Sequence, residues 1–193
     1  MIDDDAPALP SYAQNPRPIG MHLSYTLDGR ELVVNSFRKV DRVQLGAVTD
    51  VRVSYEPRSL AQSMLKTRIK LKGGKTLTFT SISYRSMTNI ERQDAAYGAF
   101  LRTLLPAIAR EAPGVRFHAG RPPVLWYATI ALAAVTLVSV TLFTLRAYQA
   151  GSTWAALFGL AVAALGIWQI EPLVRLNKPR EFRPDEPPRD LVP

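Results

Sequence analysis

Residues 122–170 read PPVLWYATIALAAVTLVSVTLFTLRAYQAGSTWAALFGLAVAALGIWQI, and Arg146 is the only charged residue among them. Arg146 separates two uncharged stretches, residues 122–145 and 147–170, each 24 residues long. As α-helix, each stretch would measure about 36 Å, against a bilayer hydrocarbon core of about 30 Å. The sequence therefore predicts an integral membrane protein with a two-helix transmembrane hairpin over residues 122–171. Its helices are expected at about 123–146 and 152–171.

The residues flanking this hairpin predict its orientation. Trp126 and Tyr127 mark one membrane interface, Tyr148 marks the other, and Trp168 lies where the second span returns. Basic residues concentrate on one side of the spans: Arg116, Arg121, Arg175, Lys178, Arg180 and Arg183. Because positive residues remain in the cytoplasm, we expect both termini to be cytoplasmic. No signal-peptide pattern follows Met1, and residues 3–5 are acidic.

Charge is concentrated before the hairpin. The net charge is +8. Positions 1–121 contain 18 basic and 11 acidic residues, whereas the remainder contains 6 basic and 5 acidic residues. A basic domain beside a membrane favours anionic lipid as a partner, and nucleic acid is the other polyanion to weigh. The chain has no cysteine, which excludes disulfides, thiolate catalysis and cysteine-ligated metals.

The first 120 residues carry a strand-rich pattern. Residues 1–20, with three aspartates and four prolines, predict a disordered leader outside the core. Residues 22–27 and 30–35 predict a β-hairpin about Asp28-Gly29, residues 40–48 are ambiguous, and residues 51–55 predict a strand that Pro57 ends. A second hairpin is predicted from residues 66–72 and 75–80 around Gly73-Gly74.

Strand alternation in the second hairpin predicts a basic row. Thr67, Ile69 and Leu71 would face the core, while the opposite face and the turn present five cations: Lys66, Arg68, Lys70, Lys72 and Lys75. Three interpretations remain open for this row. It could be a solvated sheet face or protected edge, a contact for anionic lipid, or a contact for an acidic protein partner.

A C-terminal helix is expected after the sheet. Thr88-Asn89-Ile90-Glu91 has the spacing of a capping box, which predicts a helix start near Asn89. Its apolar stripe comprises Tyr97, Phe100, Leu101, Leu104, Leu105 and Ile108. Pro106 is expected to kink or interrupt the helix, which residues 112–114 should end.

Antiparallel hairpins followed by one amphipathic helix, over residues 21–118, resemble a pleckstrin-homology-like (PH-like) domain of the bacterial membrane-anchored kind. The fold class implied is α+β: a PH-like antiparallel sheet or barrel capped by a C-terminal helix, followed by the α-helical transmembrane hairpin. The resemblance implies a cytoplasmic binding or scaffolding module at the bacterial inner membrane that could support assembly of a membrane complex. Lipid-binding members typically carry basic ligands around the first hairpin, whereas this turn reads Asp28-Gly29-Arg30-Glu31.

Catalytic patterns are absent from the sequence. The two histidines, His22 and His118, have no metal-ligand spacing, and no phosphate-loop, dinucleotide-binding or nucleophile-elbow pattern occurs. We therefore expect no catalytic residue, no metal and no cofactor. A binding protein with lipid or membrane-protein partners, and without nucleic acid, is the leading hypothesis; an uncharacterised membrane enzyme is the distant alternative.

Two further segments could contact partners. Small residues at Ala155, Gly159, Ala163 and Gly166 predict close helix packing, either within the hairpin or against another copy or protein. The proline-rich cytoplasmic tail, residues 172–193, is expected to be extended from residue 177 and to have no core of its own. Its end, Leu191-Val192-Pro193, could dock in a partner's groove.

Overall fold

The computed structural model describes residues 9–18, 22–37, 39–58, 62–86 and 89–193. The chain is mixed α+β, with mostly antiparallel sheets in its N-terminal part and three helices. The strands are β1 (Ser11–Gln14), β2 (Leu23–Asp28), β3 (Glu31–Ser36), β4 (Lys39–Gln44), β5 (Val48–Pro57), β6 (Ser63–Leu71), β7 (Thr76–Thr80), β8 (Ile82–Tyr84), β9 (Ile90–Arg92), β10 (Arg116–Ala119) and β11 (Arg180–Glu181). The helices are α1 (Asp94–Glu111), α2 (Pro123–Gln149) and α3 (Thr153–Leu176).

Two sheets form the domain. The first has the order β1-β2-β3-β4, and the second has the order β11-β10-β5-β6-β7, while β8 pairs with β9 separately. Both predicted hairpins are confirmed: β2 pairs with β3 across Gly29, at φ +57°, and β6 pairs with β7 across Gly73 and Gly74, at φ +88° and +84°. Glycine suits these positions because a side chain disfavours positive φ.

The core lies between the two sheets and α1. All six residues of the predicted apolar stripe on α1 are buried, as expected from their helical spacing. Tyr25 and Phe79 join the sheets with ring centroids 4.2 Å apart, and the buried hydroxyls of Thr67 and Tyr97 lie 2.6 Å from each other. Burial raises the pKa of Tyr25 to about 12, although a hydrogen bond from Gln14 opposes the shift. Burial also raises the pKa of Tyr12 and Tyr97.

The predicted leader is wrong for the part that the structure describes, because β1 pairs with β2. Tyr12 and Gln14 are buried, and Gln14 completes the open edge of β7. Its Oε1 accepts from the backbone N–H of Thr80 at 2.8 Å, and its Nε2 donates to the carbonyl of Thr78 at 3.3 Å. The side-chain amide thus takes the place of a neighbouring strand residue. Residues 1–8, 19 and 20 of the predicted leader lie outside the described part.

The predicted capping box is also wrong. Ile90 and Glu91 belong to β9, and α1 begins only at Asp94. The Glu91 carboxylate accepts two hydrogen bonds from Arg85, at 2.7 and 2.9 Å, and the first residue before α1, Gln93, makes no side-chain cap hydrogen bond. Thr88 lies outside the described residues. The helix then continues through Pro106 without interruption to Glu111, and the predicted stop at residues 112–114 is confirmed.

The apolar hairpin is inserted between two neighbouring strands. β10 joins the second sheet parallel to β5 and leads into α2, whereas α3 leads into β11, which pairs antiparallel with β10. The parallel pair departs from the expected all-antiparallel sheet. Both helices consequently leave the domain at one place, the end of β10.

α2 and α3 are long and apolar enough to cross a membrane, with 27 and 24 residues. They extend beyond the predicted spans by a few residues at their ends. Almost no residue in either helix is buried inside the protein. Each of the five threonine and serine hydroxyls that follow Ala128 on α2 donates to the carbonyl four residues earlier, at 2.8–2.9 Å. Such internal pairing needs no water.

Candidate binding surfaces

The basic row forms on β6 as the alternation predicts. Thr67, Ile69 and Leu71 are buried, whereas Arg68 and Lys70 are exposed and Lys72 follows them at the turn. Lys66 is the exception in the row, since its side chain is only 17% exposed. The local pattern therefore identifies the outward face, while its exposure varies along the strand.

Ion pairs neutralise part of the row. Glu56 on β5 binds Lys66 at 3.1 Å and lies 3.6 Å from Arg68. Asp41 on β4 binds Lys75 at 2.9 Å and also Lys39, and these hydrogen bonds hold the pKa of Asp41 below its usual range.

Among the described residues, Lys70 and Lys72 make no ion pair within 4 Å. Both are also exposed. They are therefore the members of the row best placed to meet an external anion.

Neighbouring strands widen the basic surface. The register aligns Arg68 with Arg52 on β5, and Arg52 with His118 on β10, so their side chains share one face. Asp50 separates Lys70 from Arg116 in the same way. His118 lies between two carboxylates, with Nε2 3.3 Å from Asp50 and Nδ1 3.8 Å from Glu181. Arg52 was not assigned to the basic surface from the sequence. The alternation of residues 51–55 could have identified it, because it places Arg52 on the face opposite the buried Val51 and Val53.

The row runs along β6 from the junction with the apolar hairpin to the far end of the sheet. β5 and β10 are parallel and both run toward that junction, whereas β6 is antiparallel to β5. Lys66 therefore lies near the junction and Lys72 at the opposite end, about 20 Å away along the strand. Lys70, Lys72 and the Gly73-Gly74 turn are the part of the row most distant from α2 and α3.

Asn177 closes the junction. Its Oδ1 accepts from the backbone N–H of Tyr55 at 3.0 Å, and its Nδ2 donates to the Tyr55 carbonyl at 2.7 Å. This fully buried amide continues the edge of β5 beyond the point where β10 ends. At Gly120, φ is +79° and a Cβ would come within 2.5 Å of the Asn177 carbonyl oxygen, so the chain entering α2 lies directly against the chain leaving α3.

The tail packs onto the domain of its own chain, which corrects the prediction of an extended segment without a core. Leu191 and Val192 are 0% and 1% exposed and belong to the main core. The Pro193 carbonyl oxygen lies so close to Gly98 on α1 that a Cβ there would be 1.7 Å away. Arg180 on β11 binds Asp190 at 2.6 Å, and this ion pair closes the loop of residues 181–189 just before the buried Leu191. The predicted docking residues are thus docked, but within the same chain.

Comparison with known proteins finds no matching family model, curated protein or solved structure. The surfaces must therefore be interpreted from their own chemistry.

The predicted helix-packing residues divide into two groups. Gly159 is buried against α2, where a Cβ would lie 2.1 Å from Thr144 Oγ1, which agrees with packing within the hairpin. At Gly166 a Cβ would meet nothing within 4 Å, and both Gly166 and Ala163 line an open groove between the helices. Ala155 is half-buried near the turn. The helices therefore touch closely near their turn and leave a gap beside Ala163 and Gly166.

Metal-binding residues do not cluster in the described ranges: no group of three or more His, Asp or Glu side chains is placed to hold an ion. The histidine with the most polar contacts is His118, and its carboxylate neighbours belong to the sheet surface.

Proposed function

We propose that the chain is an integral membrane protein whose helices α2 and α3 cross the bilayer as a hairpin, and whose remaining residues form a binding or scaffolding module at one membrane face. The insertion of the hairpin between β10 and β11 is the observation that carries this proposal. A chain with two exposed apolar helices of this length needs an apolar solvent around them. The paired strands and the Asn177 contact attach the domain to both helices.

The cytoplasmic face of the bacterial inner membrane is the proposed location of the domain, since the basic flanks favour that side. Alkaline carbonate extraction of membranes tests insertion: we expect the protein to stay in the pellet. Reporters fused at each terminus test orientation, and we expect both to be active only in the cytoplasm. Release by carbonate would reject membrane insertion; a reporter on the other side would reject the orientation alone.

The module is proposed to be PH-like, because a four-stranded meander, a three-stranded meander and one long helix follow each other in the chain. We propose that it binds an acidic protein partner through Lys70 and Lys72, and so helps a membrane complex to assemble. These two cations are exposed, lack ion pairs among the described residues, and lie at the end of β6 distant from the helices. Nothing in this role requires catalysis, a cofactor or nucleic acid.

Affinity purification in mild detergent tests the partner. Lys70→Glu with Lys72→Glu should abolish a co-purifying protein that the unaltered chain retains. Arg17→Glu with Arg110→Glu is the matched control, because it changes the charge equally at exposed sites elsewhere. Equal retention by both double variants would refute the assignment. Removal of residues 177–193 is unsuitable here because it would delete the buried Asn177, Leu191 and Val192.

Recognition of anionic lipid through the hairpin of residues 66–75 is the second candidate, supported by the outward basic row itself. It predicts that the Lys70/Lys72 charge reversal weakens binding of the purified protein to added phosphatidylglycerol vesicles and leaves co-purifying proteins unchanged. The distance of about 20 Å along β6 from the hairpin junction favours the protein partner.

A further inference from the structure

The space between α2 and α3 forms an apolar groove along the middle of α2 and mostly the domain-side half of α3. It has a volume of about 400 Å³, and its lining runs from Ile130 to Val140 on α2 and from Val162 to Val174 on α3. Ten residues of α2 span about 15 Å, which is half of a bilayer core of about 30 Å. The groove thus matches the depth of one leaflet.

Helix contacts lie at both ends of the groove, which is open along its side. Toward the turn, Gly159 packs against Thr144. Toward the domain, the Trp126 indole donates from Nε1 to the carbonyl of Val174 at 2.9 Å, which satisfies a carbonyl in the last turn of α3. Between these contacts, Gly166 leaves open space that a side chain would fill.

Cations lie near the domain-side end of the groove. The Arg121 guanidinium lies 3.4 Å from Thr129 Oγ1, and Thr129 shares a helical stripe with the lining residues Ala133, Thr136 and Val140. Arg175 follows Val174 directly, and Lys178 is exposed two residues beyond α3. One acid, Glu171, lines the groove at this end, and its carboxylate lies 2.6 Å from Arg175. Because this ion pair is neutral overall, Arg121 and Lys178 supply the net positive charge at this end.

We infer that this groove is a binding site for an anionic phospholipid of the domain-side leaflet, with one acyl chain between the helices and the headgroup beside Arg121. The apolar length and the cationic end together complement an amphipathic anion, and neither feature alone specifies it. The inference rests on the proposed membrane insertion. It concerns a site separate from the basic row on β6.

The test uses the full chain in nanodiscs of phosphatidylcholine with a minor fraction of phosphatidylglycerol. Native mass spectrometry of the released protein then identifies the retained lipid. We expect one phosphatidylglycerol molecule to be retained preferentially. Gly166→Leu should reduce retention by about tenfold, because its side chain would displace about two methylene groups of the acyl chain from the groove. Ala164→Leu, which places the same side chain on an exposed part of α3 outside the groove, should retain the lipid.

Variants that remove a charge test recognition of the headgroup separately from binding of the acyl chain. Arg121→Gln should remove the preference for phosphatidylglycerol, whereas Arg146→Gln, at the other end of the hairpin, should preserve it. Equal loss in the two leucine variants, equal retention of both lipids by the unaltered chain, or a second copy cross-linked into the groove would overturn the inference. If carbonate releases the protein from membranes, membrane insertion itself fails; a membrane-retained protein without lipid preference refutes the groove alone.

Discussion

Gly98→Ala on α1 should destabilise the domain when the tail is docked and stabilise it when the tail is absent. Alanine in place of glycine inside a helix ordinarily stabilises it by about 0.5–1 kcal/mol. Here the added Cβ would lie 1.7 Å from the Pro193 carbonyl oxygen, so the end of the tail must move away. Movement that exposes the fully buried Leu191 forfeits packing worth about 2–5 kcal/mol on the scale of leucine truncations. The expected net result in the full chain is destabilisation by at least about 1 kcal/mol.

A double-mutant cycle makes this prediction decisive. In a chain that ends at Pro187, the clash is absent, and Gly98→Ala should stabilise the domain relative to the same shortened chain. Hydrogen exchange of peptides from α1 and β10 measures both differences, since each 1.4 kcal/mol corresponds to a tenfold change in the opening equilibrium. Stabilisation by Gly98→Ala in both backgrounds would refute the docked tail, and so would destabilisation of equal size in both.

Three other perturbations address buried polar groups. Asn177→Ala leaves both backbone groups of Tyr55 without partners and should cost about 2 kcal/mol, seen as faster hydrogen exchange in the β5 peptide; unchanged exchange would contradict the junction. Gln14→Ala should cost a similar amount, about 2 kcal/mol, and lower the melting temperature of the domain, whereas a disordered leader would give no change. The pKa of Tyr25 is about 12 in the folded domain, against 10.0 for a free tyrosine. Burial of its neutral hydroxyl therefore contributes fully to the free energy of unfolding below pH 10, and this contribution is lost as the pH rises toward 12. Ultraviolet titration should accordingly show this tyrosine ionising only as the domain unfolds, and early ionisation of all tyrosines would argue against the buried core.

Local patterns explain which elements the sequence predicts well. The alternation in residues 66–72 and the stripe on α1 depend only on neighbouring residues, and both match the burial in the structure. In these two cases a period of two or of 3.6 residues is enough for the prediction. The hairpin helices were predicted from a different local property, the length of two uncharged apolar stretches.

Nonlocal polar contacts explain what the sequence did not predict. Gln14 acts on a strand 66 residues away, and Asn177 acts on one 122 residues away, so no nearby pattern distinguishes them from loop amides. Glu91 fits a capping box in sequence, but its carboxylate pairs with Arg85. The strands β10 and β11 have four and two residues, too few for a periodic signal, and their pairing required the return of α3 to the domain.

The position of the apolar hairpin between β10 and β11 imposes an order on biogenesis. His118 pairs with Glu181 across 63 residues of chain, nearly all of them hairpin, and the last core residues follow only at 191–192. Because synthesis proceeds from the N-terminus, a ribosome must complete both apolar helices before the domain can acquire its final strand and its last buried side chains. Failure of α3 to return would leave β10 with an open edge and α1 with an uncovered apolar surface, both of which favour aggregation and proteolysis. If the hairpin crosses a membrane as proposed, completion of the domain requires both of its ends to lie on one side.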